Sequence, residues 1–311
     1  MHINDVLISG ADDFLAKYLY RAIADRIGAD GQPGQSRVWM LGSGDSAGIR
    51  ADMAVGPIVM PAAMQVVVHC DGTDMDSAGL DEDIELARVR NLTASLQNDC
   101  PDVFIYISSV AVYGSRPVQY ADENARVASD SSYGRAKIAV ETYLRRWCDE
   151  VGTVLYILRP AMVVGTGMQG ELRSLVNRIY RGTYRHVSGN EARVSVVHAS
   201  TLADVVAVLM YLRDGGVYNV TDGYDPSRHD LAEALAWRLD HKRIYTVPLS
   251  KARLLARIGD YVPVTMFTTR MLEREMASFT FDSHAIFEHT GVKPDAVTDY
   301  LRNHIYDESS L

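Results

Sequence analysis

The residues best suited to chemistry are a serine pair and a tyrosine that precedes a lysine by four positions. Ser108 and Ser109 end the apolar run DVFIYISS. Tyr133 and Lys137 share one face of a helical segment. A free phenol is a poor base at neutral pH because its pKa is about 10, and a neighbouring ammonium group lowers that pKa. A serine hydroxyl can hold a substrate oxygen while the tyrosine exchanges a proton and hydride moves to or from a nicotinamide. Ser109, Tyr133 and Lys137 are therefore the candidate catalytic residues.

The first half of the chain alternates apolar runs with longer amphipathic stretches, which predicts strands followed by helices. The predicted strands are VLISG, RVWMLG, QVVVHC, DVFIYISS and TVLYILRP. Continuous apolar runs are typical of parallel strands that are buried on both faces, and the alternation implies right-handed βαβ units. The predicted fold class is α/β, with a Rossmann-like doubly wound parallel sheet. Ligands of such sheets bind beyond the carboxyl ends of the strands, where Ser109 lies.

The pattern changes after Pro160, where polar loops and helices predominate. We expect residues 1–165 to form a dinucleotide-binding domain, to which a late strand near 194–222 returns. Residues 166–311 are expected to form an interleaved, smaller and mostly helical substrate domain. Its first segment is basic within an acidic chain, because it carries Arg173, Arg178, Arg181 and Arg185. This local charge suits an anionic substrate, although a solvated helix face explains it equally well.

Several motifs follow one another along nearly the whole chain. They are SSVAVYG, YGRAK, LRPAMVVGTG, VHASTLADVV, VYNVTDG and the tail FTFDSHAIFEHTGVKP. In this order they resemble the extended short-chain dehydrogenase/reductases, the NAD-dependent epimerase/dehydratase family. The resemblance implies that Tyr133 is the catalytic acid/base, Lys137 its electrostatic partner and Ser109 the hydroxyl that orients the reacting oxygen. It also implies that Asn91 lies near the active site and that the cofactor is NAD or NADP.

The glycine-rich turn of this family is altered here. The family pattern Gly-x-x-Gly-x-x-Gly falls on Gly10, Asp13 and Ala16, and the chain keeps the pattern at Phe14 and Leu15. A glycine at the middle position lets the backbone approach a pyrophosphate, whereas a carboxylate adds bulk and like charge. An aspartate also caps a helix N-terminus, and it does so through the same amides that bind phosphate. We therefore expect dinucleotide binding that is weak or NADP-biased rather than absent.

The other expected cofactor contacts lie near the strand ends. Gly42 stands where the second strand usually carries an acid that binds the adenosine ribose of NAD. Without that carboxylate a 2′-phosphate is not repelled, which slightly favours NADP. Asp52, His69 and Pro160 are also expected in the cofactor groove, and Asp71 adds an acid beside it.

Missing acids narrow the expected reaction. Sugar-nucleotide dehydratases of the family carry an Asp–Glu pair after the active-site hydroxyl residue, where this chain has Val110 and Ala111. Decarboxylating relatives use a glutamate there, so 4-epimerases and ketoreductases remain. By resemblance, Met162 and Arg193 stand where many relatives contact a nucleotide-sugar substrate. The resemblance also implies that Ser109 contacts this substrate at the reacting oxygen. We therefore expect an NAD(P)-dependent epimerase or ketoreductase acting on a nucleotide-activated sugar.

Two alternatives stay open at this point. A carbonyl reductase of a non-sugar metabolite needs the same Ser-Tyr-Lys set. A catalytically silent relative that senses a nucleotide or binds a partner is favoured by Asp13 and Gly42, and the intact Ser-Tyr-Lys set opposes it. Family members commonly pair through two helices, here within 83–98 and 133–148, so the resemblance also implies a homodimer.

Composition and charge exclude other classes. The chain has 311 residues and a formal net charge of −9, so neither nucleic acid nor an anionic membrane is an expected partner. No apolar run approaches the roughly 20 residues of a membrane span. No basic and apolar leader precedes the first strand, so a cytoplasmic location is expected. Cys70, Cys100 and Cys148 lack metal-ligand spacing, and no metal site is predicted.

Overall fold

A computed structural model describes residues 3–30, 36–70, 82–239, 242–261 and 267–303, so Asp71 lies outside the described residues. The first half contains the strands β1 (Asp5–Ser9), β2 (Arg37–Gly42), β3 (Ile49–Arg50), β4 (Val66–His69), β5 (Val103–Ile107), β6 (Val118–Ala121) and β7 (Val154–Pro160). Its helices are α1 (Ala16–Asp30), α2 (Glu82–Ser95) and α3 (Ser132–Val151), with a 3₁₀ helix at Val110–Tyr113.

Shorter elements make up the second half. Its strands are β8 (Met162–Val164), β9 (Arg185–Val187), β10 (Val196–His198), β11 (Gly216–Val220), β12 (Tyr245–Val247) and β13 (Phe279–Phe281). Its helices are α4 (Gly170–Tyr180), α5 (Ala199–Leu209), α6 (Arg228–Arg238), α7 (Leu249–Gly259), α8 (Thr269–Glu275), α9 (His284–Thr290) and α10 (Val297–Asn303).

Seven parallel strands form the central sheet, in the order β11-β7-β5-β4-β1-β2-β3. Leu7 in the middle of β1 pairs with Trp39 of β2 on one side and with Val67 of β4 on the other. The chain proceeds outward from β1 in both directions, so a crevice opens at the carboxyl ends of β1 and β4. The predicted Rossmann-like doubly wound parallel sheet is confirmed.

Helices on both faces of this sheet explain its uninterrupted apolar strands. Val6 and Ile8 of β1 join a core that includes residues of α1 and α5. Leu7 points the other way and joins a core with α2 and α3. All residues of β1, β4 and β5 are consequently buried. Because these strands are held in the core, the polar residues that follow them lie at the carboxyl edge of the sheet.

The second half adds a hydrophobic cluster of its own. This cluster joins Leu172 of α4, Leu235 of α6 and Leu301 of α10. The chain also returns to the central sheet, where β11 pairs in parallel with β7. The division at residue 165 stays a prediction. Among the described residues, no helix combines the length and apolar character that a bilayer span requires.

Candidate active site

The two serines after β5 have different roles in the structure. Ser109 caps the 3₁₀ helix, since its Oγ accepts a hydrogen bond from the Ala111 amide at 3.1 Å. Ser108 turns into the protein, where its Oγ donates to Glu141 Oε1 at 2.6 Å. Ser108 thereby anchors the strand end, and Ser109 is the hydroxyl at the crevice.

Helix α3 brings Tyr133 against Ser109 because its first turn packs closely on the 3₁₀ helix. Ser131 begins the helix by accepting a hydrogen bond from the Gly134 amide. A Cβ at Gly134 would lie only 2.5 Å from the Ala111 carbonyl oxygen, so this approach requires glycine. The glycine next to Tyr133 thus serves the packing that positions the tyrosine.

Tyr133 is buried and lies between Ser109 and Lys137. Burial raises the pKa of its phenol above the ordinary value, although the Lys137 charge and the Ser109 hydroxyl pull it down. The Asp13 carboxylate contributes to raising the pKa, but less than burial does. Tyr133 is therefore a neutral phenol at neutral pH and is set up to donate a proton.

Lys137 is fully buried, with none of its surface exposed. Its Nζ lies 3.5 Å from Glu85 Oε1 and 5.6 Å from the centre of the Tyr133 ring. Burial alone would lower the pKa of Lys137, but Tyr106, Glu85 and Tyr133 outweigh it and raise the pKa well above the usual value. The ammonium group stays charged, and its charge favours the phenolate that Tyr133 becomes when it gives up its proton.

Glu85 is a neighbour of Lys137 that the sequence did not reveal. This acid of α2 is buried beside Lys137. The predicted Asn91 ties α2 to the loop after β3, since its Nδ2 donates to the Met53 carbonyl at 2.7 Å, and its place near the active site stays a prediction. Glu85 precedes the buried Val89 by four positions and the buried Leu92 by seven. The sequence signal that could have revealed Glu85 is an acidic residue on the apolar face of a helix.

A small cavity of about 70 Å³ gathers several predicted residues. Its lining includes Phe14, Leu15, Ser109, Tyr133, Pro160 and Met162. Residues predicted for catalysis, cofactor and substrate thus meet at one place. These residues come from different elements. Phe14 and Leu15 follow β1, Ser109 follows β5, and Tyr133 lies in the first turn of α3, while Pro160 ends β7 and Met162 begins β8.

The altered glycine turn is held by its own aspartates. Gly10 has a φ of 104°, a conformation that favours glycine. Asp13 Oδ1 accepts a hydrogen bond from the Leu15 amide at 2.8 Å, at the start of α1. Asp12 Oδ2 accepts from the Ser43 and Gly44 amides, both at 2.9 Å, beyond β2. Carboxylates of the chain therefore already occupy backbone donors on both sides of the crevice.

Gly42 and Gly44 make room for the Asp12 carboxylate. A Cβ at position 42 would lie 2.9 Å from Asp12 Oδ2, and one at position 44 would collide with Asp12 Oδ1. The place where an acidic residue was expected at the end of β2 is thus filled by a carboxylate from another loop. The sequence showed that position 42 is glycine, but it did not show that the Asp12 carboxylate occupies the space beside it.

The remaining predicted residues do not line this cavity and make contacts of their own. His69 is buried at the end of β4, with Nδ1 at 3.2 Å from Ser9 Oγ. Asp52 accepts from the Ala54 amide within its own turn. Arg193 Nη1 donates to the Asp225 carbonyl at 2.9 Å. Across the part of the chain that the structure describes, no group of three or more His, Cys, Asp or Glu side chains could hold a metal.

A second cavity of about 250 Å³ adjoins the first and shares Met162, Glu171 and Leu172 with it. Its lining includes three arginines, Arg178, Arg228 and Arg274, and the two acids Glu171 and Glu275. Arg228 Nη1 lies 3.6 Å from Glu275 Oε2, and Arg274 pairs with Glu171. The Arg178 guanidinium stacks over Tyr184, 5.2 Å from the ring centre. Arg178 belongs to the basic segment that the sequence shows, whereas Arg228 of α6 and Arg274 of α8 come from far along the chain.

Comparisons place the chain among known proteins. A model of the NAD dependent epimerase/dehydratase family matches residues 6–221. The chain is 26% identical over 173 residues to N-acetyl-alpha-D-glucosaminyl-diphospho-ditrans,octacis-undecaprenol 4-epimerase of Escherichia coli O157:H7, covering 54% of this chain and 52% of that protein. It is 26% identical over 192 residues to UDP-glucose 4-epimerase of Vibrio cholerae, covering 56% and 57% respectively. The chain thus spans about half the length of these curated relatives.

Solved structures agree on the fold. UDP-N-acetylglucosamine 4-epimerase from Bacillus cereus superposes with a TM-score of 0.70 at 16% identity, covering 97% of this chain and 95% of that one. RMD from Pseudomonas aeruginosa, complexed with NADPH, superposes with a TM-score of 0.68 at 20% identity, covering 96% and 97%. UDP-glucose 4-epimerase of Thermus thermophilus, complexed with NAD, gives 0.69 at 16% identity and 96% coverage of both chains. The family match over most of the chain, together with this fold, shows that the chain belongs to the NAD-dependent epimerase/dehydratase family.

Proposed function

We propose that the chain is a nicotinamide-dependent epimerase or ketoreductase that acts on a sugar carried by a diphosphate, with a nucleotide-activated sugar as the leading substrate class. The observation that carries this proposal is that Ser109 and Tyr133 line one cavity, while the buried, charged Lys137 lies against the Tyr133 ring. Mere packing gives no reason to bury a lysine against a carboxylate and two phenols. A carbonyl reductase of a non-sugar metabolite would use the same three residues.

The residues present fit a nicotinamide dinucleotide at its reactive end. Phe14, Leu15 and Pro160 would hold it beside Tyr133. At the phosphate end, the Leu15 amide is free for a phosphate only when Asp13 turns away. Structures of the fold bind either form, since the Thermus thermophilus protein carries NAD and the Pseudomonas aeruginosa protein NADPH. The cofactor, when bound, supplies a hydride acceptor or donor.

Asp12 bears on the choice between NAD and NADP. The slight preference for NADP rested on the missing carboxylate at Gly42, yet Asp12 places a carboxylate within 2.9 Å of where a side chain there would begin. A 2′-phosphate at this position would meet like charge and would compete for the Ser43 and Gly44 amides. We therefore propose NAD as the preferred form.

Proton transfer falls to Tyr133. Its phenol oxygen gives a proton to the substrate oxygen when a carbonyl is reduced and takes one when an alcohol is oxidised. Ser109 holds the same oxygen in place, and the Lys137 charge stabilises the phenolate. Glu85 keeps the Lys137 ammonium in position from the side of α2, because their charged groups lie 3.5 Å apart in a buried site.

The second cavity supports the substrate class. The relatives act, by their names, on sugars attached to UDP, ADP, or a polyprenol diphosphate. A diphosphate is the chemistry these share, and guanidinium groups recognise phosphate oxygens through paired hydrogen bonds. Arg178 is the best placed of the three arginines here, because it makes no ion pair among the described residues.

Replacing Asp13 by asparagine is expected to tighten dinucleotide binding about tenfold. The amide keeps an oxygen for the Leu15 cap but removes a negative charge beside the diphosphate, and such a charge costs on the order of 1 to 4 kcal/mol at contact distance. Calorimetric titration with NADH measures the change. Asp25→Asn removes one charge from the exposed side of α1 and serves as the matched control. Weaker binding in Asp13→Asn would show that the carboxylate assists the cofactor instead of opposing it.

The substrate proposal is tested with Arg178→Gln. We expect KM for UDP-glucose or UDP-N-acetylglucosamine to rise about tenfold with kcat nearly unchanged, since the arginine binds the diphosphate and not the reacting atoms. Product formation is followed by NMR for the C4 epimer and by NADH absorbance for reduction. Arg173→Gln on the same helix is the control, because Arg173 is exposed and lies outside the cavity lining. An unchanged KM in Arg178→Gln would remove the diphosphate assignment from this cavity.

A catalytically silent, nucleotide-sensing relative is the second candidate. The observation in its favour is that Asp12 and Asp13 satisfy backbone donors that a dinucleotide would use. A homodimer also stays a proposal. It is compatible with the packing of α2 on α3, where Thr93 Oγ1 and the Tyr143 hydroxyl lie 2.7 Å apart.

A further inference from the structure

Helix α7 presents its apolar residues to solvent. Leu254, Leu255 and Ile258 are 61%, 56% and 50% exposed. The buried side of the same helix carries only small residues, among them Ala252 and Ala256. A helix on the surface of a globular protein normally has the opposite arrangement, with its large apolar residues turned inward.

The outward leucines Leu254 and Leu255 take no part in the hydrophobic cluster beneath α7. The inward face of α7 packs through Ala252 and Ala256 against Leu272 of α8 and Val187 of β9. Leu254, Ile258 and the exposed Tyr261 recur at intervals of four and three, so they form one stripe along the helix. The stripe is an apolar surface in addition to the packed core. Contiguous exposed apolar surface of this kind marks an interaction site.

The charges around the stripe are mainly positive. Lys251, Arg253 and Arg257 are exposed, and none of them makes an ion pair within the described residues. The one acid of the segment, Asp260, is engaged by the amide and hydroxyl of Thr269. The chain as a whole carries −9, so this cationic surface is a local feature.

We propose that α7 docks on the surface of an anionic lipid bilayer, with Leu254, Leu255 and Ile258 in the interface and Lys251, Arg253 and Arg257 against the lipid headgroups. An apolar face bordered by lysine and arginine is the pattern of helices that lie in a membrane interface. A second copy of the chain fits less well. A two-fold contact through this stripe would bring two mainly cationic surfaces together. The proposal replaces the expectation from net charge that an anionic membrane is excluded.

Docking through α7 would place the second cavity close to the bilayer. Helix α8 lies between them, since its Leu272 contacts α7 while its Met271 and Arg274 line the cavity. Met271 is itself exposed, which extends apolar surface toward the cavity. The bilayer proposal stands on α7 alone and does not depend on the proposed reaction.

Cosedimentation of the full chain with vesicles tests this proposal. We expect binding to vesicles of phosphatidylcholine with phosphatidylglycerol, and little binding to phosphatidylcholine alone. Added salt should weaken binding because the basic residues act through charge. The double variant Leu254→Ser, Ile258→Ser should bind about tenfold more weakly or worse, since it removes two apolar side chains from the lipid interface.

Two further variants make the test specific. Val55→Ser, Val59→Ser removes apolar side chains that are 86% and 94% exposed elsewhere and should bind vesicles like the unsubstituted chain. Lys251→Gln, Arg257→Gln changes only exposed side chains of α7 and should lose most of the preference for phosphatidylglycerol. The proposal is overturned if the full chain does not bind the anionic vesicles. It is also overturned if the serine variant of α7 changes only the oligomeric state in solution.

Discussion

Tyr133→Phe is expected to lower turnover by about 10² to 10⁴, the usual contribution of a positioned acid/base. The substitution removes only the phenol oxygen, the atom through which the proton moves. The ring still packs in its buried site beside Lys137. Binding of NADH should therefore change little, which separates a chemical defect from a structural one. Turnover is measured with a UDP-sugar by NMR, and binding by calorimetry.

Tyr143→Phe is the matched control for this prediction. Tyr143 lies on the same helix, and its hydroxyl is 2.7 Å from Thr93 Oγ1, away from Ser109. We expect nearly full activity in this variant. Full activity in Tyr133→Phe would refute the assigned mechanism, and a joint loss of activity and NADH binding would show that Tyr133 acts through structure.

Arg159→Met is expected to lower the free energy of unfolding by about 3–5 kcal/mol, because it leaves a buried carboxylate without its main partner. Arg159 Nη2 and Nε donate to the two oxygens of Glu141 at 2.7 and 3.0 Å, in a pair that is almost fully buried. The same carboxylate also accepts from Ser108, directly before the candidate catalytic Ser109. Denaturant unfolding measures the change.

An exposed pair on α3 provides the control. Arg146 Nε lies 2.8 Å from Glu150 Oε1, yet both side chains are mostly exposed. Arg146→Met should leave stability nearly unchanged, because solvent screens an exposed ion pair. Adding Glu141→Leu to Arg159→Met should restore part of the loss, since no unpaired charge then remains buried. Equal effects of Arg159→Met and Arg146→Met would contradict this account of the buried pair.

The pH dependence of this stability has a definite sign. Burial would raise the pKa of Glu141, but hydrogen bonds and charge from Arg159 outweigh it and hold the pKa below the ordinary 4.5. The unfolded chain therefore takes up a proton on this group at higher pH than the folded chain does. The stabilisation is present above about pH 4.5 and is lost as the pH falls toward the folded pKa.

The sequence predicted the sheet and the proximity of Ser109 and Tyr133 because both depend on local patterns. Buried parallel strands need continuous apolar runs, and the Tyr133–Lys137 spacing is set by the helix itself. Ser109 was placed correctly at a strand end because the strand before it is uniformly apolar. These features are readable from a few neighbouring residues each.

Contacts between distant loops could not be read in the same way. Asp12 and Gly44 are far apart in the chain, and only the fold shows that one carboxylate fills the place of another side chain. Glu85 and Asn91 lie on the same helix, and only the tertiary packing of that helix shows that Glu85 contacts Lys137 while Asn91 contacts the Met53 carbonyl. Arg274 reaches the second cavity from α8, whose neighbours are fixed by tertiary packing rather than by sequence spacing.

Calorimetric titration of the unsubstituted chain with NADH and with NADPH tests the central claim most directly, once any cofactor retained from purification has been identified by absorbance. The account predicts that NADH binds, and that it binds more tightly than NADPH because the Asp12 carboxylate lies where a 2′-phosphate would sit. Tighter binding of NADPH would contradict the role given to Asp12. No binding of either form, with none retained, would contradict the claim that Ser109, Tyr133 and Lys137 serve a nicotinamide-dependent reaction.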